Sequence, residues 1–340
     1  MIIQNKMTNP YSLIPSPLST APSPDPKLYL LGGFLMNFTA LLNAMPGAIA
    51  QGLIWGIMAI GVYITYKVLD LADLTVDGSM ATGGAVCVML MLNGVNVWLA
   101  LLCAILAGML AGLLTGVFHT AMGIPPILAG ILTQLSLYSI NLAIMDFKAN
   151  QGINVTKYAL IVSQRNVRAM GLNNPIFTAL IFLALLIAVL YWFFGTELGS
   201  SLRATGANEA MSRAQGINTN TAKILGLMIS NGIVALSSAL LSHYQGFVDV
   251  NMGRGAIVIG LAAVIISEVI FGKLFRNFAL KLTGVAIGAV LYYIVIQVVL
   301  WLGLNTNLLK LLSALIVAVF LGIPYWKAHM STRKGGGRHA

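Results

Sequence analysis

Charge is scarce in this sequence. Of 340 residues only 8% are Asp, Glu, Lys or Arg, while 58% are hydrophobic and the mean hydropathy is +0.89. Soluble domains carry roughly a quarter charged residues, so a soluble globular fold is excluded. Cysteine is scarcer still: Cys87 and Cys103 are the two, and both lie in apolar segments. A disulfide framework is excluded, and two buried thiols are expected instead. Signatures of catalysis are missing as well. The chain has no Gly-x-x-x-x-Gly-Lys-Ser/Thr phosphate loop, no His-Glu-x-x-His pair and no Gly-x-Ser-x-Gly elbow, and His119, His243, His329 and His339 are scattered. No enzyme activity, metal site or cofactor of its own is expected. Residues 1–27, rich in Pro, Ser and Asn, lack a signal-peptide hydrophobic region with a small-residue cleavage site and read as a disordered tail.

What the sequence does have is hydrophobic length. Apolar runs of about 20 residues recur, each long enough to cross a bilayer. The alternating segments of about ten residues that mark a β-barrel are absent. The fold class is therefore an all-α polytopic membrane protein. Spans are expected at 46–66, 68–95, 97–119, 124–146, 174–194, 223–243, 249–271, 279–301 and 308–326, with 68–95 and 249–271 interrupted. Leu28–Met45, which ends at Pro46, reads as an interfacial helix or a further span, giving roughly eight to ten spans. The expected organisation is a membrane domain over 28–326, with a polar segment at 195–222 and a basic tail at 327–340.

The net charge of +10 comes from basic residues set between the apolar runs. They are placed to fix topology and to meet anionic lipid headgroups, and nucleic acid is not an expected partner. Arg203, Arg213 and Lys223, then Lys273, Arg276 and Lys281, then Lys327, Arg333, Lys334 and Arg338 all fall on one side, read as cytoplasmic. Segments 147–173, 244–248 and 302–307 fall on the other. Lys148, Lys157, Arg165 and Arg168 in the first of these are exceptions of a kind that a long loop tolerates.

Against this background the stretch VLDLADLTVDGSMATGGAV, with Asp70, Asp73 and Asp77, is unusual. A carboxylate within a span costs about 2.5–3.5 kcal/mol on insertion scales, so it is expected to face a cavity or a partner. Asp77 is also placed to cap the helix beginning near Gly78, and the two roles are compatible. The phrase DLTVDGSMATGG (Asp73–Gly84) has a counterpart, DVNMGRGAIVIG (Asp249–Gly260), after a helix running the opposite way. That is the pattern of an inverted repeat whose broken helices meet around a transport path. For Gln134, Asn141, Asn231, Glu268 and Gln297, interhelical hydrogen bonds are expected. The small residues spaced by four in AILAGMLAGLLTG predict close helix packing within one subunit rather than a dimer seam.

The longest polar stretch, GTELGSSLRATGANEAMSRAQGINTN, has a helix signature inside it. Asn208 is placed as N-cap, EAMSRAQ makes two turns and Gly216 stops them. Such a segment either links two halves of a bundle or presents a helix to a partner. LRATGANEAMSRAQGI resembles the cytoplasmic motif of the permease family that serves branched-chain amino acid and ribose ABC importers. GLIWGIMAIGVYITYKVLDLADLTVDG is similar to that family's first long helix and the break after it, and DLTVDGSMATGGAV to a branch that takes up aromatic amino acids such as tryptophan and tyrosine.

The resemblance covers about residues 46–325 and implies a permease subunit in the cytoplasmic membrane. It implies a P-loop ATPase that binds the ATP, an extracytoplasmic substrate-binding protein and a second permease copy as partners. Arg203, Gly206, Asn208, Glu209, Arg213 and Gly216 would form the ATPase-coupling element. Asp73, Thr75, Asp77 and Gly78, with Asp249, Asn251 and Met252, would line the substrate path. The competing expectations are an ion-coupled secondary transporter, with Asp73 and Asp77 as ion ligands, and a membrane protein with no transport path.

Overall fold

The computed structural model describes residues 26–302 except 156, 159, 169, 170, 172, 173, 273 and 276, together with 308, 311, 314, 315, 317–319 and 322; side chains are described from residue 38. Residues 1–25 and 327–340, and with them the tail expectations, lie outside the described residues, as does most of the 308–326 span. Contacts divide the chain into two units, Met1–Ala40 and Leu41–Ala340. The described part of the first, residues 26–40, is helical. The second contains everything that follows.

Helix α1 (Pro26–Tyr63) runs through Pro46, so the expected end at that proline does not occur. A proline removes one backbone hydrogen bond, a loss that transmembrane helices tolerate. A π-helical turn, Ile64–Val68, follows. The remaining helices are α2 (Thr75–Leu92), α3 (Val97–Thr120), α4 (Pro126–Ile144), α5 (Pro175–Phe193), α6 (Glu197–Ala207), α7 (Glu209–Ala214), α8 (Thr219–Gln245), α9 (Ala256–Phe271) and α10 (Phe278–Trp301). Among the described residues seven helices are long and apolar enough to span a bilayer, and α9 is a shorter apolar helix. Helices α2 and α8 are mostly covered by protein, whereas α3, α4 and α5 expose many large apolar side chains.

Backbones approach closely where the sequence supplies small residues. A Cβ added at Gly108 or Gly112 of α3 would strike the carbonyl oxygen of Asn231 or Leu227 on α8, and at Gly116 it would stand 3.0 Å from Ile224 Cα. The four-residue glycine spacing is therefore an intramolecular seam, as expected. Lipid tails give no hydrophobic drive for helix pairing, so such close contact carries much of the association.

Both breaks have local causes. After Val68 the chain leaves the helix, with Asp70 at φ 54°, a left-handed conformation that Asp adopts more readily than most residues. Helix α8 ends at Gly246, φ 79°, whose N–H donates to Ser242 O at 2.8 Å. The chain then forms β2 (Phe247–Asp249), which pairs antiparallel with β1 (Asn150–Gly152), so the 147–173 and 244–248 segments share one face of the bundle. On the opposite face Lys67 pairs with Glu268 at 2.8 Å, and the Arg203 guanidinium lies 5.6 Å from the Phe278 ring centre.

Candidate functional site

The two breaks meet. A Cβ at Gly253 would strike the Asp77 carbonyl oxygen and stand 3.2 Å from Met80 Cβ. Asp77 and Gly253 are the fifth residues of the two similar phrases, so matching positions of the two phrases are in contact. From Asp77 helix α2 climbs to one face, and from Ala256 helix α9 descends to the other. Each covers about 24 Å at 1.5 Å per residue, which puts the meeting point near mid-depth.

Asp77 caps a helix, but not its own. Its Oδ2 accepts from the N–H of Gly255 at 2.9 Å and its Oδ1 from the N–H of Ile257 at 3.0 Å. The residue at the N-cap of α9 is Gly255, which has no side chain to satisfy the first N–H groups of that helix. A carboxylate on α2 supplies what the local sequence lacks, and it clamps the two breaks together.

Asp73 and Thr75, expected to line a path, lie instead in the packed interior. Asp73 is 4% exposed. Its Oδ1 accepts from Thr75 N–H at 2.9 Å and its Oδ2 from Asn231 Nδ2 at 2.7 Å. Asn231 Oδ1 in turn accepts from Ser79 Oγ at 2.6 Å. The Thr75 hydroxyl meets Thr115 Oγ1 at 2.6 Å, and Thr115 donates to Thr133 Oγ1 at 2.8 Å. One buried network thus ties the start of α2 to α3, α4 and α8. Asn231 fulfils the expected interhelical role, while nothing in the sequence marked Thr115 and Thr133.

Gly78 and Asp77 do border open space. A cavity of about 310 Å³ is lined by Asp77, Gly78, Gln134, Tyr138, Asn141 and Arg254. The Arg254 guanidinium lies 5.8 Å from the Tyr138 ring centre. Arg254 went unnoticed in the sequence because it aligns with Gly78, where the first phrase has no side chain. Met252 faces a second cavity, and its sulfur accepts from Ser238 Oγ at 3.7 Å. Asp249 and Asn251 stand at the β1–β2 face, where Asp249 Oδ1 accepts from Asn251 N–H at 2.7 Å and shapes the turn.

The polar segment folds as two helices rather than one. Thr196 caps α6 and Asn208 caps α7, accepting from Met211 N–H at 3.0 Å, and Gly216 takes φ 84° just beyond α7. Gly206 lies on α6, where a Cβ would strike the Val68 carbonyl oxygen at the end of the first long helix. Arg203 donates to Phe194 O. Glu209 Oε1 accepts from Arg213 at 2.6 Å and from Lys223 at 2.8 Å, and Arg213 Nε donates to Thr219 Oγ1 at 2.8 Å. These residues bind α7 to the start of α8. Met211, 59% exposed, is what α7 presents outward.

The hydrogen bond from Lys223, helped by the charges of Lys223 and Arg213 and opposed by partial burial, holds the Glu209 carboxyl below its ordinary range. A depressed carboxyl pKa stabilises the fold above the unfolded value, about 4.3, and the gain is lost as pH falls through the lower folded value. The pair is partly exposed and screened, so the effect is below about 1 kcal/mol. Melting of the detergent-solubilised protein should show wild type above Glu209→Gln at about pH 6, the gap closing below about pH 4. A gap that widens on acidification would contradict the assignment.

A family model described as branched-chain amino acid transport system, permease component, matches residues 45–323. The chain belongs to that permease family. It is thus a multi-pass membrane permease component of an ABC-type transport system. A tyrosine transport system permease protein of Clostridioides difficile is 39% identical to the permease over 280 residues, 82% of this chain and 91% of the relative. An uncharacterized protein of Rickettsia prowazekii is 32% identical over 282 residues, 82% of this chain and 97% of that one. Among solved structures, PsaBC from Streptococcus pneumoniae in complex with Fab aligns with a TM-score of 0.48 at 16% identity, over 84% of the permease and 94% of that chain.

Proposed function

We propose that this permease imports an amino acid with an aromatic side chain across the cytoplasmic membrane. It has no ATPase site of its own and is driven by a P-loop ATPase that docks on α6 and α7. Two permease copies would assemble with two ATPase subunits, and an extracytoplasmic binding protein would deliver cargo at the β1–β2 face. The observation that carries the substrate class is the 39% identity to a tyrosine permease over 82% of the chain. The α6–α7 element supports the coupling role, because it is packed on the end of the first long helix and on the start of α8 while leaving Met211 outside. A push on α6 and α7 would therefore reach the two helices that lead into the breaks, α1 and α8.

Co-purification tests the assembly. A tagged permease is expected to retain an ATPase subunit, and the purified complex to hydrolyse ATP faster with cargo-loaded binding protein. Permease recovered alone, with uptake that follows an ion gradient, would reject this reading.

The mid-membrane site is proposed to take part through Asp77. Asp77→Ala removes the acceptors for Gly255 and Ile257 and should cost about 1–2 kcal/mol of stability, as lost helix caps do. Uptake per folded complex is expected to fall about tenfold, since the clamp between α2 and α9 opens, while ATPase binding is retained. Uptake at the wild-type rate in complexes of lowered melting temperature would reduce Asp77 to a cap alone.

A further inference from the structure

We propose that a cavity beside α1, α9 and α10 is the site where the permease holds the aromatic ring of its cargo, with Arg254 meeting the carboxylate. This deepens the aromatic amino acid reading and rests on it. The cavity has a volume of about 450 Å³, and its wall includes Trp55, Met252, Arg254, Val258, Tyr292 and Tyr293. That volume lies within the range of small-molecule sites, about 300–1,000 Å³.

Three features point to the same class of ligand. Trp55 and Tyr293 form an aromatic pair, ring centres 5.8 Å apart and tilted by 39°, that a third ring can pack against. Trp55 is 7% exposed, and its indole N–H has no hydrogen-bond partner among the described residues. A buried donor without an acceptor is costly, and a polar group on the cargo, a carboxylate or a ring hydroxyl, would satisfy it. Arg254 borders the cavity at mid-depth, and no carboxylate of the described residues pairs with its guanidinium. Its guanidinium lies 5.8 Å from the Tyr138 ring centre, and its planar fork of donors suits a carboxylate in a two-pronged bond. Lipid chains meet the ring requirement but neither polar one.

The cavity also has a route from outside. Ala48, Gln51 and Gln297 are shared with a second cavity of about 380 Å³ whose wall includes Gln164, Arg165 and Arg168. Those residues belong to the 147–173 segment, on the face where a binding protein would release cargo. Two arginines at the mouth favour an incoming carboxylate. Arg254 further borders the cavity that contains Asp77 and Gly78. Cargo would thus descend along α1 and α10, meet Arg254, and reach the clamp between the two breaks.

A thiol placed at Gln297 reports occupancy. The tests use the complete transporter in nanodiscs, with Cys103 replaced by serine and Gln297→Cys as the reactive site; Gln51→Cys serves if that variant does not fold. L-tyrosine or L-phenylalanine at millimolar concentration is expected to slow modification by a small methanethiosulfonate about threefold or more. L-alanine and tyramine, which lack the ring or the carboxylate, should protect far less. Arg254→Gln and the cavity-filling Val258→Trp should abolish protection, and Trp55→Phe should weaken it while the ring remains. Protection that survives Arg254→Gln and Val258→Trp, or dependence on lipid chain length instead of amino acid, overturns the site. ATP-driven uptake of tyrosine measured on the same preparation separates the two readings. Intact uptake without protection rejects this cavity alone, and absence of uptake of any aromatic amino acid rejects the substrate class.

Discussion

Asp73→Ala is expected to destabilise the permease by about 2–4 kcal/mol, seen as a large fall in melting temperature and in the yield of folded protein. The substitution leaves the Thr75 N–H and one of the two Asn231 amide N–H groups without an acceptor in the interior, the other still donating to Leu227 O, and each stranded donor costs about 1–3 kcal/mol. Within a membrane the sum is tempered, because the unfolded chain also finds partners for its polar groups. Asp73→Asn keeps one acceptor but turns an amide toward the donor of Asn231, so an intermediate loss is expected. Asn231→Leu removes the donor to Asp73 Oδ2 and leaves the Ser79 hydroxyl only the longer bond to Val76 O at 3.3 Å. The double variant Asp73→Ala with Asn231→Leu should then cost less than the two single losses added, as expected for side chains in one network. Additive losses would mean that the two residues act apart.

Gly206→Val should disconnect ATP hydrolysis from transport. A branched side chain there meets the Val68 carbonyl and Leu69 Cα, which lies 2.8 Å from an added Cβ, so α6 must move away from the end of the first long helix. That contact links the proposed docking element to the helix that leads into the first break. Uptake is expected to drop at least tenfold while the complex still assembles and still hydrolyses ATP, because Asn208 and Glu209 continue to hold α7 in shape. Gly206→Ala is the graded control. Equal loss of hydrolysis and uptake would place the defect in docking rather than in transmission.

Much of this architecture is legible in the sequence because each feature has a local cause. Hydrophobic length marks the spans, Gly108 to Gly116 mark the α3–α8 seam, and Asn208 with Gly216 bounds α7. The two aspartate phrases identify the breaks, and the breaks do meet. What the sequence hides is pairing between distant segments. Asp77 looks like a cap for its own helix, and only the fold brings the glycine-capped start of α9 under it. Asp73 looks like a path residue because a carboxylate among apolar neighbours suggests water, yet Asn231, 158 positions away, supplies the polar setting. Trp55 and Tyr293 are ordinary members of apolar runs until α1 and α10 lie side by side. Arg254 and Arg165 carry no local pattern at all; their significance comes from the cavities they border.

Uptake of labelled L-tyrosine into vesicles containing the permease and its ATPase, with binding protein outside and ATP inside, tests the central claim most directly. Accumulation should require ATP and binding protein, persist when ion gradients are collapsed, and disappear in Gly206→Val. Accumulation that follows a proton or sodium gradient and ignores ATP would contradict it.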